Sequence, residues 1–581
     1  VKKSGISVEE NKETIKIYDE KNKKLSHIKR TLRKYQTIKT LLIFLCILLV
    51  FIGLIGGYLG FIKKIPVFAS VLIIGIIICI CIGLIIIIKK KINVVCKNTN
   101  EIKTALETEI QKLLNEAWEQ MAPLNALFDW NMPAEIITRT TPLIQMDKYF
   151  DAKKLQYLKE KYHLLENDKE NVSTVFVQSG SILGNPFLLC RNYRQLWINK
   201  TYTGTLTIHW TELVRGSNGK MQTVHRTDIL HASVTKPAPN YDFETYLIYG
   251  NDAAPNLSFY RYPSNVNGKS EKEISKMVSA GAKNLDKLAR EAVQKNKNYT
   301  RLNNDEFEVL FGGENRDNEV EFRLLFTPLA QKNEIRLIKS QIPYGDDFYF
   351  EKAKELNYIK SNHSQSQDYY ADPNQFAGFS IDRMKENFVK FNDTYFQSLF
   401  FDFIPLISIP LYQQHKPKEY IYQEEYRSNI TSFEHEALAN SFDVDLLKNP
   451  ETSTDVILKA TFEKKNKTVD LVKIRANSFK SIERVELIPV FGKDGHMHSV
   501  PVPWIEYEPV YQETMMEVFA KDSSRTHFNS VSESQAFQML VENKVLKNAF
   551  IYERGLMAAL LKDRITDTDI EEMDTLFKTK K

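Results

Sequence analysis

The chain has 581 residues with a formal net charge of +5, from 78 Lys and Arg against 73 Asp and Glu. Single hydrophobic cores stop growing near ~250–300 residues, so this length excludes one compact core and predicts at least two soluble domains. Residues 1–39 carry a charge of +7, residues 40–91 carry +5, and the remainder carries −7. Because phosphate binding needs a basic domain, we expect no nucleic acid as a partner of this acidic remainder.

Two uncharged apolar runs lie near the N-terminus, at 40–62 and 66–88. Each is longer than the ~20 residues that cross a hydrocarbon core ~30 Å thick. A cleaved signal peptide has a shorter apolar stretch and is not followed at once by a second span. Only Lys63, Lys64 and Ile65 separate the runs. The sequence therefore predicts a transmembrane helical hairpin with both ends on one side of the bilayer.

Basic residues indicate how this hairpin is oriented. Twelve Lys and Arg lie within residues 1–39 and three more at 89–91, against two in the loop between the runs. By the positive-inside rule, both termini and the soluble region are cytoplasmic. We expect a two-span, multi-pass protein of the cell membrane, with the lipid bilayer as its first partner.

Small residues predict how the two runs pack. The first run carries four glycines, in pairs four residues apart on one helical face, and the second adds two more: Gly53, Gly56, Gly57, Gly60, Gly75 and Gly83. Glycine allows helix backbones to approach closely. Packing between the two tethered runs is the favoured interpretation, and a dimerisation face is the alternative.

Amphipathic helices are predicted on both sides of the hairpin, a basic one within 1–39 and a second at 89–125. Apolar residues recur there at three- and four-residue steps: Leu25, Ile28, Leu32 and Tyr35, then Ile102, Leu106, Ile110, Leu113, Ala117 and Met121. Such stripes indicate one buried helix face. The two stripes could pair as a stalk, and the competing interpretation places the basic helix on anionic lipid.

The rest of the chain predicts an α+β fold, with mixed α/β soluble domains at 126–300 and 301–581 and mostly antiparallel sheets. Between 172 and 263, β-branched and aromatic residues alternate with polar ones, which is typical of antiparallel strands. We expect a turn at 216–219 and a break at 237–239.

Further elements are predicted from local patterns. Ser270 and Glu273 form the pattern of a capping box, which predicts a helix that ends near Asn296. Strands are predicted at 309–311, 320–326 and 335–338, and helices at 350–360 and 381–401. The apolar segment at 400–412 is interpreted as a core strand, with a membrane-dipping or partner-docking element as the alternative. A four-strand meander is predicted at 456–462, 469–474, 485–490 and 498–507, with a turn at Asp494–Gly495, and C-terminal helices at 532–541 and 568–577.

Few residues in the sequence suggest a catalytic or metal-binding role. His496 and His498 alternate on a predicted strand and are weak metal candidates, but no third ligand is evident and a solvated turn is favoured. His435-Glu436 lacks the second His of the zinc-protease pattern. Cys190, the one cysteine outside the N-terminal 96 residues, is expected to be a buried apolar residue rather than a nucleophile.

Two other patterns have simple structural interpretations. Gly268-Lys269-Ser270 resembles the end of a phosphate-binding loop, but Pro263 occupies the position of its first glycine, so a turn and helix cap are favoured. Asp346-Asp347 are expected to begin a helix. No complete cofactor motif is present in the sequence, and we expect neither a cofactor nor a catalytic residue.

Four segments are distinctive in wording: YLIYGNDAAPNLSF at 246–259, RDNEVEFRLLFTPLAQ at 316–331, IPLYQQHKP at 409–417 and HSVPVPWIEYEPV at 498–510. In these the chain resembles an uncharacterised family of two-transmembrane-helix membrane proteins from wall-less bacteria. The resemblance covers most of the chain after Asn125. It implies a membrane anchor followed by a soluble domain of unknown function.

The sequence favours a membrane-anchored binding or scaffolding module in a membrane-associated assembly, with protein partners or self-association. The basis is the lack of a dense catalytic constellation after residue 91. The alternative is a membrane-tethered hydrolase with a site built from scattered residues, which a pocket that gathers carboxylates or histidines would favour.

Overall fold

A computed structural model describes residues 1–61, 67–165, 169–215, 220–295, 299–340, 345–414, 430–466, 469–520 and 550–561. The chain forms two compact units. Unit 1 contains Val1–Asp129 and Asp372–Phe391, and unit 2 contains Trp130–Ala371 and Asn392–Lys581. The fold is mixed α/β with antiparallel sheets and one long apolar helix at the N-terminus.

Unit 1 is helical, with α1 (Val8–Phe61), α2 (Val67–Ile87) and α3 (Asn93–Asn125), and a π-helical turn at Ile88–Ile92 joins the last two. Within the described residues, α1 is the helix that is long and apolar enough to cross a membrane. The predicted connection at 63–65 lies outside the described residues, so the second span and the hairpin stay predictions.

Helices α1 and α3 contact each other in an antiparallel arrangement. Lys21 Nζ lies 2.8 Å from Glu109 Oε2, and Lys29 Nζ lies 3.0 Å from Glu107 Oε1. Apolar residues of both predicted stripes are buried: Leu25, Leu32, Ile110, Ala117 and Met121. The pairing of the two amphipathic stripes is therefore present in unit 1.

Residues 372–391 complete unit 1. Asn11, fully buried, donates through Nδ2 to the carbonyl oxygen of Phe379 (2.9 Å) and accepts at Oδ1 from the Ile381 backbone N–H (3.1 Å). The Phe379 ring lies 5.6 Å from Tyr18, edge to face. Met121, Ile381 and Met384 form a small apolar cluster. A buried amide that is hydrogen-bonded on both sides fixes the register of this contact.

Unit 2 contains the sheets. Its helices are α4 (Met132–Thr140), α5 (Ala152–Tyr162), α6 (Glu271–Gln294), α7 (Asp305–Phe311), α8 (Glu319–Leu325), α9 (Pro328–Ile338), α10 (Asn362–Gln365), α11 (Ile381–Ile407, which begins in unit 1) and α12 (Ser432–Asn440). Short 3₁₀ turns are at Pro373–Gln375 (in unit 1), Pro410–Gln413 and Val444–Leu446.

The strands are β1 (Ile144–Met146), β2 (Val172–Ile182), β3 (Asn185–Arg215), β4 (Met221–Gly250), β5 (Ser258–Arg261), β6 (Phe348–Ala353), β7 (Leu356–Ser361), β8 (Ile457–Asn466), β9 (Val469–Phe491), β10 (Met497–Ala520), β11 (Phe550–Glu553) and β12 (Leu556–Leu561). One sheet has the order β1-β2-β3-β4-β7-β6-β5 and the other β11-β12-β10-β9-β8. All neighbours are antiparallel, as predicted.

Each sheet has a core near its centre. In the seven-stranded sheet, α5 covers a cluster formed by Leu155, Leu158, Leu188, Cys190 and Ile248. In the five-stranded sheet, α12 contributes to a second cluster with Leu438, Ala439, Val472, Ile474 and Met516. Phenylalanine rings of β5, β6, α7 and α8 pack beside one another: Phe259, Phe311, Phe322, Phe326 and Phe350. These clusters hold the strands in register.

Four strands continue far beyond these cores. β3 and β4 have 31 and 30 residues, and at ~3.3 Å per residue they form a ribbon about 100 Å long. Their parts at 195–215 and 221–241 pair only with each other. The β9–β10 hairpin behaves likewise at 478–491 and 497–510. We call these four segments the stacked ribbons, because the two hairpins pack face to face.

The stacked ribbons share a narrow apolar layer in which Ile208, Leu230 and Val500 are buried. A Cβ placed on Gly204 would lie 2.1 Å from the carbonyl oxygen of Pro501, so the two backbones touch there. Glycine is required because any side chain would collide with main chain rather than with a movable group. The close approach sets the spacing of the two ribbons at that point.

The break predicted at Pro237–Pro239 is wrong, since β4 runs through both prolines. Pro237 lies opposite Asn199 and Pro239 opposite Trp197, and that part of β4 pairs with β3 alone. Proline is tolerated in a strand where its missing N–H would face an open edge. The long ribbon provides such an edge.

The strands predicted at 309–311, 320–326 and 335–338 are wrong, because these residues belong to α7, to α8 with its C-cap Phe326, and to α9. Each helix has an N-cap side chain that accepts from the backbone three residues ahead: Asn304 from Phe307, Asn318 from Glu321 and Thr327 from Ala330. These caps outweigh the β-branched and aromatic content that suggested strands.

The helix predicted at 350–360 and the strand predicted at 400–412 are also wrong. The first segment is the β6–β7 hairpin, whose turn begins at Lys354 with φ 58°. The second continues α11 to Ile407 through Pro405. Asp346 and Asp347 precede β6 rather than a helix, and Asp346 forms a buried ion pair with Arg261.

Several predictions are confirmed. Ser270 and Glu273 form the capping box of α6. The helix predicted at 381–401 is present within α11, and β8, β9 and β10 form the meander with a turn at Gly495, although the runs at 469–474 and 485–490 are one strand. The turn at 216–219 and the helices at 532–541 and 568–577 lie outside the described residues.

Candidate functional site

A cleft of about 450 Å³ opens in unit 2 beside the edge strand β8. Its walls come from the start of α12, from β8 and β9, and from one residue each of β2 and β10. The polar lining includes Thr174, Glu436, Lys459, Lys473, Arg475 and Glu513. Ligand clefts are commonly ~300–1,000 Å³, so the volume suits a small molecule.

A buried ion pair lies on the floor of the cleft. Lys459 Nζ is 2.5 Å from Glu436 Oε1, and the two side chains are 14% and 7% exposed. Lys459 also donates to the carbonyl oxygen of Val172 (3.0 Å), and the Thr174 backbone N–H donates to Glu436 Oε2 (2.8 Å). Burial raises the pKa of Glu436, and the Lys459 ammonium opposes that shift. Because each charge has hydrogen-bonded partners, this pair joins β2, β8 and α12.

Two further cations line the wall of the cleft. Lys459 lies opposite Arg475 and Thr461 opposite Lys473 in the antiparallel register, so all four side chains lie on one face of the sheet. The Arg475 guanidinium stacks on the Tyr511 ring at 4.3 Å. Lys459 and Arg475 repel each other, and Glu513, exposed on β10 directly opposite Arg475, is the acidic side chain beside them on the cleft wall.

The acidic partners of these two cations are weakly held. Arg475 Nη1 lies 3.7 Å from a carboxylate oxygen of Glu170, whose side chain is 77% exposed, and Lys473 Nζ lies 3.1 Å from Glu463. Exposed pairs of this kind are worth ~0–1 kcal/mol. Arg475 Nε is buried and has no hydrogen-bond partner among the described residues. A ligand anion could therefore replace the acidic side chains at small cost.

A histidine–aspartate pair lies behind the cleft. His435 Nε2 is 3.3 Å from Asp470 Oδ2, and both side chains are buried. The Phe462 ring, which lines the cleft, lies parallel to the His435 imidazole with centroids 6.5 Å apart. Ser432, one helical turn before His435 on α12, also lines the cleft. The pair therefore lies beneath the residues that line the cleft, with the imidazole held beside an aromatic ring that does line it.

A second, larger groove of about 660 Å³ lies between α6 and the segment after α7. Its charged floor is the pair Arg316–Glu308, and Arg316 Nη1 also lies 3.6 Å from Glu319. The guanidinium sits 4.2 Å from the Phe322 ring. Since this Arg is already held by two carboxylates and a ring, the groove offers less for a ligand than the cleft.

The metal candidates do not converge on a site. His498 Nε2 lies 2.8 Å from Asp494 Oδ2, and the His496 backbone N–H donates to Asp494 Oδ1 at 3.1 Å. In the part of the chain that the structure describes, no group of three or more His, Cys, Asp or Glu could hold a metal ion. Asp494 instead organises the turn between β9 and β10.

The structure also describes the surroundings of other residues that were candidates from the sequence. Cys190 is fully buried, and burial raises the pKa of its thiol to about 12, which removes the thiolate that a nucleophile requires. Lys269 Nζ donates to the carbonyl oxygen of Asn265 in the turn before α6. A Cβ on Gly75 or Gly83 would meet no described atom within 4 Å. The side-chain surroundings of the glycines at 53, 56, 57 and 60 are outside the described residues.

Sequence reasoning missed the cleft. It considered His435 and Glu436 only as an incomplete zinc pattern, and it did not single out Lys459, Lys473 or Arg475. The alternation of Lys473 and Arg475 with buried Val472 and Ile474 predicts a charged face on that strand. What that face meets depends on α12 and β2, which are distant in sequence.

Comparisons with protein-family models, with curated proteins and with solved structures found no match to this chain.

Proposed function

We propose that this chain is a membrane-anchored binding module that holds a small anionic molecule in the cleft beside β8, within a membrane-associated assembly. The observation that carries the proposal is the pair Lys473 and Arg475 on the cleft wall, whose acidic partners are solvent-exposed. Carboxylate and phosphate groups are the ligands that such cations bind, and a guanidinium can bind them with two hydrogen bonds.

Titration calorimetry on the full chain in detergent tests this proposal, with citrate and inorganic pyrophosphate as probes. We expect at least one probe to bind the wild type and to bind Arg475→Ala at least tenfold more weakly. Arg484→Ala is the matched control, because Arg484 is on the same strand and is paired with Glu506 at 2.7 Å, away from the cleft. Binding of neither probe to the wild type, or equal losses in both variants, would contradict the proposal.

The proposal includes two membrane spans, with both termini and unit 2 in the cytoplasm. Its support is the apolar run of α1, the absence of charge from 66–88 and the basic residues that flank both runs. A cysteine-free background with either Ser4→Cys or Lys63→Cys allows a direct test with an impermeant maleimide on intact cells. We expect Lys63→Cys to be labelled and Ser4→Cys to be labelled only after permeabilisation, and the reverse pattern would overturn the orientation.

A membrane-tethered hydrolase is the second candidate, because Ser432 lines the cleft one helical turn before His435, which is paired with Asp470. A hydroxyl, an imidazole and a carboxylate are the groups used in acyl transfer. A fluorophosphonate probe that labels the wild type but not Ser432→Ala would favour this candidate. Absence of labelling in the wild type, with anion binding intact, would favour the binding module.

A further inference from the structure

The β9–β10 hairpin has a face that no described part of unit 2 covers. Inward residues such as Val500 and Val502 are buried, whereas the outward ones at 485, 487, 489 and 491 of β9 and 497, 499, 501 and 503 of β10 lie on the opposite side. We call these eight residues the distal outer face. They form four consecutive cross-strand pairs near the hairpin turn.

The distal outer face is apolar and open. Val485, Leu487, Phe491 and Met497 are 63%, 63%, 67% and 60% exposed. Three of the other four residues are prolines, and Ser499 is the one polar side chain. Contiguous exposed apolar patches on soluble regions commonly mark interaction sites, since leaving them in water costs free energy.

The charges on and around the distal outer face favour an uncharged partner surface over an anionic bilayer. The eight residues of the distal outer face include no charged side chain, and the surrounding segment 480–508 has three basic and five acidic residues. An anionic bilayer surface requires a basic surround, which this hairpin lacks. A second copy of the same face brings no charge into the contact, so no charge would be buried without a partner.

The open edges of the hairpin favour contact through the side chains of its face over pairing with an added strand. Pro489, Pro501 and Pro503 lie in the part of β9 and β10 that pairs only within the hairpin. Proline lacks the N–H that a strand added at an open edge would need. A partner therefore packs against the side chains, in the way that two sheets stack ~10 Å apart.

We propose that the distal outer face docks against the same face of a second copy of this chain, in a two-fold symmetric contact. Each copy presents its apolar side chains to the equivalent side chains of the other, with Leu487 and Ser499 near the middle of the contact. The inference concerns a surface separate from the cleft, so it does not depend on ligand binding.

The area of the proposed contact is small, so it forms only between copies that are held close together. Seven residues along each strand span ~23 Å, and two strands with their side chains are ~10–12 Å wide, which gives about 250 Å² per copy. A standard stable interface buries ~800 Å² per partner. The contact is too small to hold two free molecules together at low concentration. Anchoring both copies in one membrane, as the proposed function has it, raises their effective concentration.

Cross-linking in membranes tests the proposal. The full chain carries Ser499→Cys, has alanine at positions 46, 79, 81 and 96, and retains the buried Cys190. The purified protein is reconstituted in proteoliposomes and treated with a short bismaleimide. We expect a product of twice the chain mass. Thr203→Cys is the control, because Thr203 is exposed on the other ribbon of the stack, and it should give at least tenfold less product.

Leu487→Asp provides a second test, because it adds a carboxylate to the distal outer face and leaves the apolar layer between the stacked ribbons unchanged. Combined with Ser499→Cys, it should lower the dimer yield at least tenfold, whereas Thr203→Asp in the same background should leave the yield unchanged. Equal yields from Ser499→Cys and Thr203→Cys, or no effect of Leu487→Asp, would overturn the proposal. In native membranes, a product whose mass matches a different protein instead of a second copy would also overturn it.

Discussion

The long strands of unit 2 have two parts that differ in what covers them. Near the sheet centres, helices and neighbouring strands bury side chains such as Cys190 and Ile474. In the stacked ribbons, the same strands are covered on one face only, by another two-stranded ribbon. One continuous strand therefore serves two purposes: its covered part holds the fold, and its uncovered part presents a surface.

A buried acid on α11, hydrogen-bonded to the end of β7 in the seven-stranded sheet, gives the largest expected effect. Burial raises the pKa of Asp402 to about 7, although Ser361 donates to its Oδ1 at 2.6 Å. The raised pKa favours the protonated form in the folded state, so the contribution of Asp402 to stability is fully present below pH ~4 and is lost as pH rises to ~7, by up to about 4 kcal/mol. Asp402→Asn should abolish most of this fall, as measured by hydrogen exchange of α11 at pH 5.5 and 8.

The control for this prediction is Asp382→Asn, which removes an exposed carboxylate at the other end of the same helix. It should leave the pH dependence of exchange unchanged. A wild-type protein whose α11 protection is equal at both pH values, after correction for intrinsic rates, would show that Asp402 ionises normally.

Truncation of a core residue should have the second-largest effect on stability. Ile474 is fully buried under α12, and Ile→Ala changes at such sites cost ~2–5 kcal/mol. Ile474→Ala should lower hydrogen-exchange protection across β8 and β9 at 469–477 by that amount. Val485→Ala, on the distal outer face of the same strand, should change it by less than ~0.5 kcal/mol. Similar effects at both sites would remove the distinction between the two parts of the strand.

Separation of the stacked ribbons should have a smaller and local effect. Gly204→Val places a branched side chain against the Pro501 carbonyl, and main chain cannot move aside locally. We expect a loss of about 1–3 kcal/mol of protection within 195–241 and 478–510, with the covered parts unaffected. Limited proteolysis of the ribbons gives an independent measurement. Loss of protection throughout unit 2 would contradict the local character of this contact.

The smallest expected effect concerns the cleft floor. Glu436→Gln keeps the shape and the Thr174 hydrogen bond but leaves Lys459 without its carboxylate. The pair is buried, but Lys459 keeps the Val172 carbonyl oxygen as an acceptor, so we expect about 1–2 kcal/mol less protection for α12 and β8. Glu463→Gln, which removes an exposed partner of Lys473, is the control and should have no measurable effect.

Sequence reasoning predicted the elements with strong local signals. The apolar run in α1, the amphipathic stripes of α1 and α3, the capping box at Ser270 and the alternating strands all follow from periodicity or capping chemistry. Helices α7, α8 and α9 were mistaken for strands because short apolar runs carry no decisive period, although the caps at Asn304, Asn318 and Thr327 would have identified them.

The sites could not be predicted in the same way. The cleft joins Glu436 and Lys459 to β2, some 260 residues earlier in the chain, and no local pattern encodes that contact. The distal outer face could be recognised only once β9 was known to be one strand, since that register decides which side Leu487 and Phe491 occupy.

The measurement that most directly tests the central claim is native mass spectrometry of the full chain released gently from membranes of the cells that express it. Our account predicts a small anionic molecule bound to the wild type and to Arg484→Ala, and absent from Arg475→Ala. A wild-type chain without any bound molecule, or one whose bound molecule is retained in Arg475→Ala, would contradict the assignment of the cleft as the binding site.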